Sequence, residues 1–268
     1  MPVIDRRAAV AGLALLSLYR PARAATPEQL SIDADDGPVA LTRYAAEQAG
    51  KRPGVIMLHG THGFEFKLTA YERYARALAA KGIDAYLLRY FTPADAPAFD
   101  RQKTPPEKRE AYEAARFDGW AKRVSAVVTA ILARSDSSGH VGVLGFSLGG
   151  YIAAAAAVRD SRVAALAVLY GGMPDAMVSD VKHLPPLIDL HGNADHNVPF
   201  AKGEELVKLG KAVGAEAELV AYPGKHHGFD FSDTDPMAAD AIGRVVKFFE
   251  AHLSSPESSQ HFQALAPP

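Results

Sequence analysis

His140-Val141-Gly142-Val143-Leu144-Gly145-Phe146-Ser147-Leu148-Gly149-Gly150 sets the architecture of this chain. The stretch begins as an apolar, β-branched run, the composition of a strand buried on both faces. It ends in Gly-x-Ser-x-Gly, and Tyr151 and a run of alanines then read as a helix. A strand that turns into a helix through this motif forms a nucleophile elbow. The turn is so tight that its apex residue takes a strained conformation and stands exposed above the sheet. Gly145 and Gly149 leave room where any side chain would clash. Ser147 is therefore the candidate nucleophile. Gly-x-Ser-x-Gly recurs by chance, so the strand before it and the helix after it carry the reading.

Working outward, the same alternation continues in both directions. Upstream, 39–44 reads as an edge strand with Val39 and Leu41 on one face. A continuous apolar run at 55–58 reads as a buried parallel strand. The loop His59-Gly60-Thr61-His62-Gly63 follows it. Helical spacing over 71–81 stops at Gly82, and 83–88 is the next strand. The stretch 91–106 is rich in Pro, Ala and Asp and irregular, and 107–132 is helical again. Downstream, 163–170, 186–190 and 216–222 read as strands. The spans 200–213, closed by Gly214, and Pro236–Leu253 read as helices. Such alternation predicts a mostly parallel sheet with helices on both faces. In such sheets the ligand site lies beyond the carboxyl ends of the strands. Ser147, the His59-Gly60-Thr61 loop, Asp195 and His227 all fall at such ends.

The bulk properties bound the function. With 268 residues and no repeat or linker, one domain over 25–253 is the simplest division, followed by a flexible tail at 254–268. Apolar residues make up 48% and charged residues 22%, ordinary for a globular protein. The net charge of −2 offers no basic field for nucleic acid. There is no cysteine, which excludes disulfides, a thiolate nucleophile and a zinc site built on sulfur. Asp5-Arg6-Arg7, an apolar run from Ala8 to Tyr19 and Ala22-Arg23-Ala24 form the three parts of an export signal over 1–24. The adjacent arginines suggest the twin-arginine route of bacteria, although Ala9 stands where a large apolar residue is usual. The apolar run is too short to span a membrane. The expected location is the periplasm, with no stable membrane association after export.

A serine hydroxyl needs a base, and the base needs an acid to hold its tautomer. After an elbow of this kind the partners follow in the order acid, then histidine. The segment Leu190-His191-Gly192-Asn193-Ala194-Asp195 places a carboxylate in the loop after a buried strand. Tyr222-Pro223-Gly224-Lys225-His226-His227-Gly228-Phe229 places two histidines in a loop after the last strand. The plainer readings are a turn aspartate and a solvated histidine pair. No ligand set stands at a recognised metal spacing, and neither a metal nor a cofactor is expected.

Three blocks give the chain a relative. Gly145-Phe146-Ser147-Leu148-Gly149-Gly150, His191-Gly192-x-x-Asp195-x-x-Val198-Pro199 and Tyr222-Pro223-Gly224-x-x-His227-Gly228-Phe229 resemble the dienelactone hydrolase family. The resemblance runs from about Pro53 to Leu253. It implies an α/β-hydrolase fold, with Ser147 matching the nucleophile, Asp195 the acid and His227, rather than His226, the base. Two departures stand out. The family's namesake members carry cysteine where Ser147 stands. They also bind a substrate carboxylate with two arginines, near whose places this chain has Thr92 and Phe231, with Arg89 close to the first. The resemblance therefore implies a serine hydrolase of carboxylic esters or lactones, with a substrate other than the namesake's.

The mechanism also needs donors for an oxyanion. The N–H of Leu148, at a helix start, is one; Thr61, ahead of Gly60 and His62, is the expected second. His59 reads as a structural hydrogen-bonding residue. Lys225 and Asp230 stand close enough to the base in sequence to shape the site. Tyr90, Phe91 and Phe99 either line an apolar substrate site under a partial lid formed by 91–106, or pack on the core beneath a surface loop. The competing functions are a small serine peptidase or amidase of the same fold and, from a different class, a non-catalytic binding module that kept the fold. The presence of all three candidate catalytic residues argues against the latter.

Overall fold

A computed structural model describes residues 27–100 and 102–254. The expected export signal lies outside the described residues, and so does all of the expected tail beyond Ser254. Eight strands form one sheet: β1 Glu28–Ala34, β2 Gly37–Tyr44, β3 Arg52–Leu58, β4 Asp84–Arg89, β5 Ser137–Phe146, β6 Val163–Leu169, β7 Leu187–Gly192 and β8 Ala217–Tyr222. Six α-helices accompany them: α1 Leu68–Ala79, α2 Asp95–Ala98, α3 Pro106–Leu132, α4 Leu148–Arg159, α5 Ala201–Ala212 and α6 Pro236–Leu253. The strand order is β1-β2-β4-β3-β5-β6-β7-β8. All neighbours pair in parallel except β1 with β2 and β2 with β4.

Alternate residues of β3 show why the strand is apolar throughout. Ile56 and Leu58 pack on one side of the sheet with Trp120, Val124 and Val128 of α3, Ala153 of α4 and Leu206 of α5. Val55 and Met57 pack on the other with Tyr74 and Leu78 of α1 and Val245 and Phe249 of α6. Both faces are covered, so neither can be polar. Two apolar cores thus grip the central strands and hold their carboxyl ends rigidly in one plane.

One expectation needs correcting. The strand over 39–44 is not an edge, because β1 pairs with β2 along its whole length across the turn Asp35-Asp36. Leu30 and Ile32 turn toward the core on the α3 side, while the other face of β1 is solvated. That half-buried, acidic strand is the true edge. Among the described residues no helix is long and apolar enough to cross a membrane.

Candidate active site

The elbow has the geometry its glycines demand. Ser147 sits at φ 55°, ψ −121°, a region that non-glycine residues rarely occupy. A Cβ on Gly145 would collide with the Gly149 carbonyl oxygen and come 2.7 Å from Gly150 Cα. One on Gly149 would collide with the Leu58 carbonyl oxygen and lie 2.6 Å from that of His59. Gly149 therefore lets α4 touch the carboxyl end of β3, which draws the following loop up to Ser147. A Cβ on Gly60 in that loop would lie 3.4 Å from Ser147 Cβ.

The loops after β7 and β8 bring the other two residues in. His227 Nε2 lies 2.9 Å from Ser147 Oγ, and His227 Nδ1 lies 2.7 Å from Asp195 Oδ2. The second oxygen of Asp195 accepts from the backbone N–H groups of Asn197 (2.8 Å) and Val198 (3.0 Å). Burial alone would raise the Asp195 pKa, but His191, His227 and the Val198 N–H outweigh it and hold it well below the usual carboxylate range. His226 is exposed and its Nδ1 pairs with the Ala194 carbonyl at 2.7 Å, so it fastens the two loops together. Lys225 forms an ion pair with Asp235.

Behind Asp195 lies a further buried pair. His191 Nε2 donates to the Val198 carbonyl at 3.0 Å, and its Nδ1 stands 3.2 Å from Asp189 Oδ1. Burial alone would lower the His191 pKa, but Asp189 and Asp195 hold it well up. Tyr170, at the end of β6, packs its ring 4.6 Å from the His227 imidazole and donates from Oη to Asp230 Oδ1 at 2.7 Å. Tyr74 donates to the other Asp230 oxygen at 3.0 Å. Full burial pushes the Asp230 carboxyl up to about 6 despite these bonds. Sequence reasoning missed the roles of His191 and Tyr170. Tyr170 had a legible signal, since it ends a strand on the side where the site must lie.

Of the loop donors considered, Gly60 N–H is spent on Tyr71 Oη at 3.3 Å. Thr61 lines the cavity that holds Ser147, and neither Thr61 N–H nor Leu148 N–H donates to a backbone carbonyl among the described residues. His59 is buried, stacked 4.1 Å from Tyr90, with Nδ1 at 2.7 Å from the Gly60 carbonyl. Burial pushes its pKa down to about 4, so it is a neutral structural residue.

The cavity above Ser147 has a volume of about 680 Å³. Besides Ser147, Leu148 and His227, it is walled by Phe66, Tyr71, Tyr151, Tyr170 and Phe231, with Lys67 and Glu113 as charged side chains. Tyr90 is not part of this wall. It is fully buried and donates to the His59 carbonyl at 2.7 Å, because its place at the inner end of β4 turns it into the core. Phe91 and Phe99 stack on each other at 5.1 Å and line a neighbouring recess of about 400 Å³ that shares Thr61, His62 and Gly63 with the main cavity. The segment above them contains α2 and is tied down by Asp95, which accepts from Thr92 Oγ1 (2.8 Å), Tyr112 Oη (2.8 Å), Arg116 Nε (2.8 Å) and Trp120 Nε1 (3.3 Å). Thr92 is thus occupied by Asp95, and Arg89 pairs with Glu65 at 3.2 Å facing the recess. No arginine among the described residues lines the main cavity. Among the described residues no cluster of three or more His, Asp or Glu side chains is placed to hold a metal ion.

The chain has known relatives in sequence and in fold. Residues 41–253 match the model of the dienelactone hydrolase family. The chain belongs to the dienelactone hydrolase family. The family is one of ester-type hydrolases, and solved structures agree on the fold. The dienelactone hydrolase of Anabaena variabilis is 19% identical, with a TM-score of 0.68 over 85% of this chain and 99% of that one. A dienelactone hydrolase-like promiscuous phosphotriesterase from metagenomic libraries is 19% identical, with a TM-score of 0.71 over 87% of this chain and all of that one. A shorter sequence match, 46% identical over 54 residues, is to an isoprenylcysteine α-carbonyl methylesterase of Arabidopsis thaliana. It spans 20% of this chain and only 12% of the methylesterase.

Proposed function

We propose that this family member hydrolyses carboxylic esters or lactones through an acyl-enzyme on Ser147. The carrying observation is the chain of bonds from Ser147 Oγ to His227 (2.9 Å) and from His227 to Asp195 (2.7 Å). His227 Nε2 removes the proton of Ser147 as Oγ attacks the ester carbonyl. Asp195, held ionised, fixes the Nδ1–H tautomer and offsets the imidazolium charge. The N–H groups of Leu148 and Thr61 receive the oxyanion, each donor contributing about 3 kcal/mol to the transition state. Collapse breaks the ester C–O bond, and His227 gives its proton to the departing alkoxide. Water then attacks the acyl carbon with His227 again as base, and the acid is released with Ser147 restored. For a lactone the freed hydroxyl stays tethered to the acyl group throughout, and the second step releases a single hydroxy acid.

A pre-steady-state burst of p-nitrophenolate from p-nitrophenyl acetate, equal in amount to the enzyme, is the expected sign of the acyl-enzyme. A fluorophosphonate that leaves Ser147 unlabelled in folded protein would count against it. For location, the charged start, apolar run and Ala22-Arg23-Ala24 support export to a periplasm with removal of residues 1–24. Protein recovered from that compartment should begin at Ala25.

A further inference from the structure

The cavity above Ser147 contains one acidic side chain that the hydrolytic mechanism does not use. Glu113 reaches it from the outer face of α3 and also lines a smaller recess with Thr61, Phe99 and Arg109. Its carboxyl is half-buried, and among the described residues no group hydrogen-bonds to it or pairs with it. Arg109, one turn earlier on the helix, donates to the Thr104 carbonyl, and its charge acts on Glu113 without a hydrogen bond, opposed by that of Glu110. Lys67, the other charged side chain of this wall among the described residues, is exposed, with its ammonium 5.9 Å over the Phe66 ring. A half-buried carboxylate without a hydrogen-bonded partner is costly, and a cationic ligand that contacts it directly reduces that cost.

The rest of the wall matches such a ligand. Besides Phe66, which Lys67 covers, Tyr71, Tyr151, Tyr170 and Phe231 line the same cavity with aromatic rings, and the faces of such rings attract cations. Quaternary ammonium groups are recognised where aromatic rings and a carboxylate converge. Among the described residues no arginine that would favour a carboxylate stands in this wall.

We propose that Glu113, together with the surrounding aromatic side chains, selects esters that carry an ammonium group and disfavours esters that carry a carboxylate. This rests on the ester-hydrolase reading of Ser147. Burial, followed by the charge of Glu110, pushes the Glu113 carboxyl up to about 7, so at pH 8.5 it is ionised.

The test compares choline acetate with 3,3-dimethylbutyl acetate, its neutral isostere, at pH 8.5 and low salt, in the wild type, Glu113→Gln and Glu113→Lys. The wild type should favour the choline ester in kcat/KM by about tenfold or more, Glu113→Gln should lose that preference, and Glu113→Lys should reverse it. Because each ratio is internal to one preparation, a partly unfolded variant lowers both rates and leaves the ratio unchanged. An equal ratio in the wild type and Glu113→Gln overturns the proposal. Calorimetric binding of choline separates it from the ester reading. Binding by the wild type that weakens about tenfold in Glu113→Gln supports the cation site even if neither ester is cleaved. Absence of choline binding by the wild type at millimolar concentration, with p-nitrophenyl acetate still hydrolysed, overturns the cation site and leaves the esterase standing.

Discussion

His191 and Asp195 are buried side by side, with the imidazole Nε2 of one 3.6 Å from the Oδ2 of the other, the same oxygen that faces His227. The acid of the candidate triad is therefore backed by a second imidazole, itself paired with Asp189. Replacing His191 by Ala would leave the fully buried Asp189 without its partner. Loss of about 3–5 kcal/mol of stability is expected, measured by urea unfolding. Adding Asp189→Asn should recover part of it. A single substitution that costs nothing would mean that the buried pair does not stabilise the fold.

Two aspartates near the site should bend the stability profile in opposite directions. Asp195 has a folded pKa below its unfolded one, so its contribution is present above about pH 4 and is lost as the pH falls. Asp230 is the reverse, because burial lifts it to about 6. Its folded form holds the proton more tightly, so its contribution is present at acid pH and declines as the pH rises from about 4 to 6, by on the order of 3 kcal/mol. Asp230→Asn keeps an acceptor for one tyrosine, offers the other an N–H to accept, and removes the titration. The stability of wild type minus that of Asp230→Asn should therefore fall between pH 4 and pH 7, and a flat difference would show that Asp230 does not titrate there.

The elbow was legible in the sequence because its geometry dictates residue types. Only glycine fits where Gly145 touches Gly149 and where Gly149 touches Leu58, so the constraint is written locally. The same is true of Asp195 and His227, each in a short loop after an apolar strand. Glu113 was not legible in this way, since its place in the wall arises only when α3 packs beside the cavity. β1 was missed because one face is solvated and acidic, which mutes its apolar alternation. The sequence leaves Tyr90 open between cavity and core because an aromatic residue at the end of a strand can face either, and the tertiary packing against His59 chooses.

Two glycine substitutions should separate structural need from mere composition. Gly149→Ala forces a methyl against backbone atoms that cannot move aside, and a loss of more than about 2 kcal/mol is expected. Gly243→Ala on α6 meets open space, and helix propensity predicts a gain of about 0.5–1 kcal/mol. Thermal unfolding of the two variants side by side checks both signs.

The segment over the aromatic recess should depend on one side chain. Asp95 is fully buried and gathers Thr92, Tyr112, Arg116 and Trp120. Asp95→Ala leaves these donors without an acceptor, at a cost of about 3 kcal/mol, and should release the stretch between α2 and α3. Limited proteolysis should then cut near Gln102 and Lys103 much faster than in the wild type. Unchanged cleavage would show that the aromatic stack alone holds the segment.

The most direct measurement is the hydrolysis of p-nitrophenyl acetate by purified wild type and by Ser147→Ala, at matched concentration and with matched folding by circular dichroism. The Ser147 hydroxyl is the only atom in this account that bonds covalently to substrate. Turnover by the variant should fall by at least about 10⁴-fold, with the burst abolished. Equal rates from the two proteins would contradict the assignment of Ser147 as nucleophile and the acyl-enzyme route built on it.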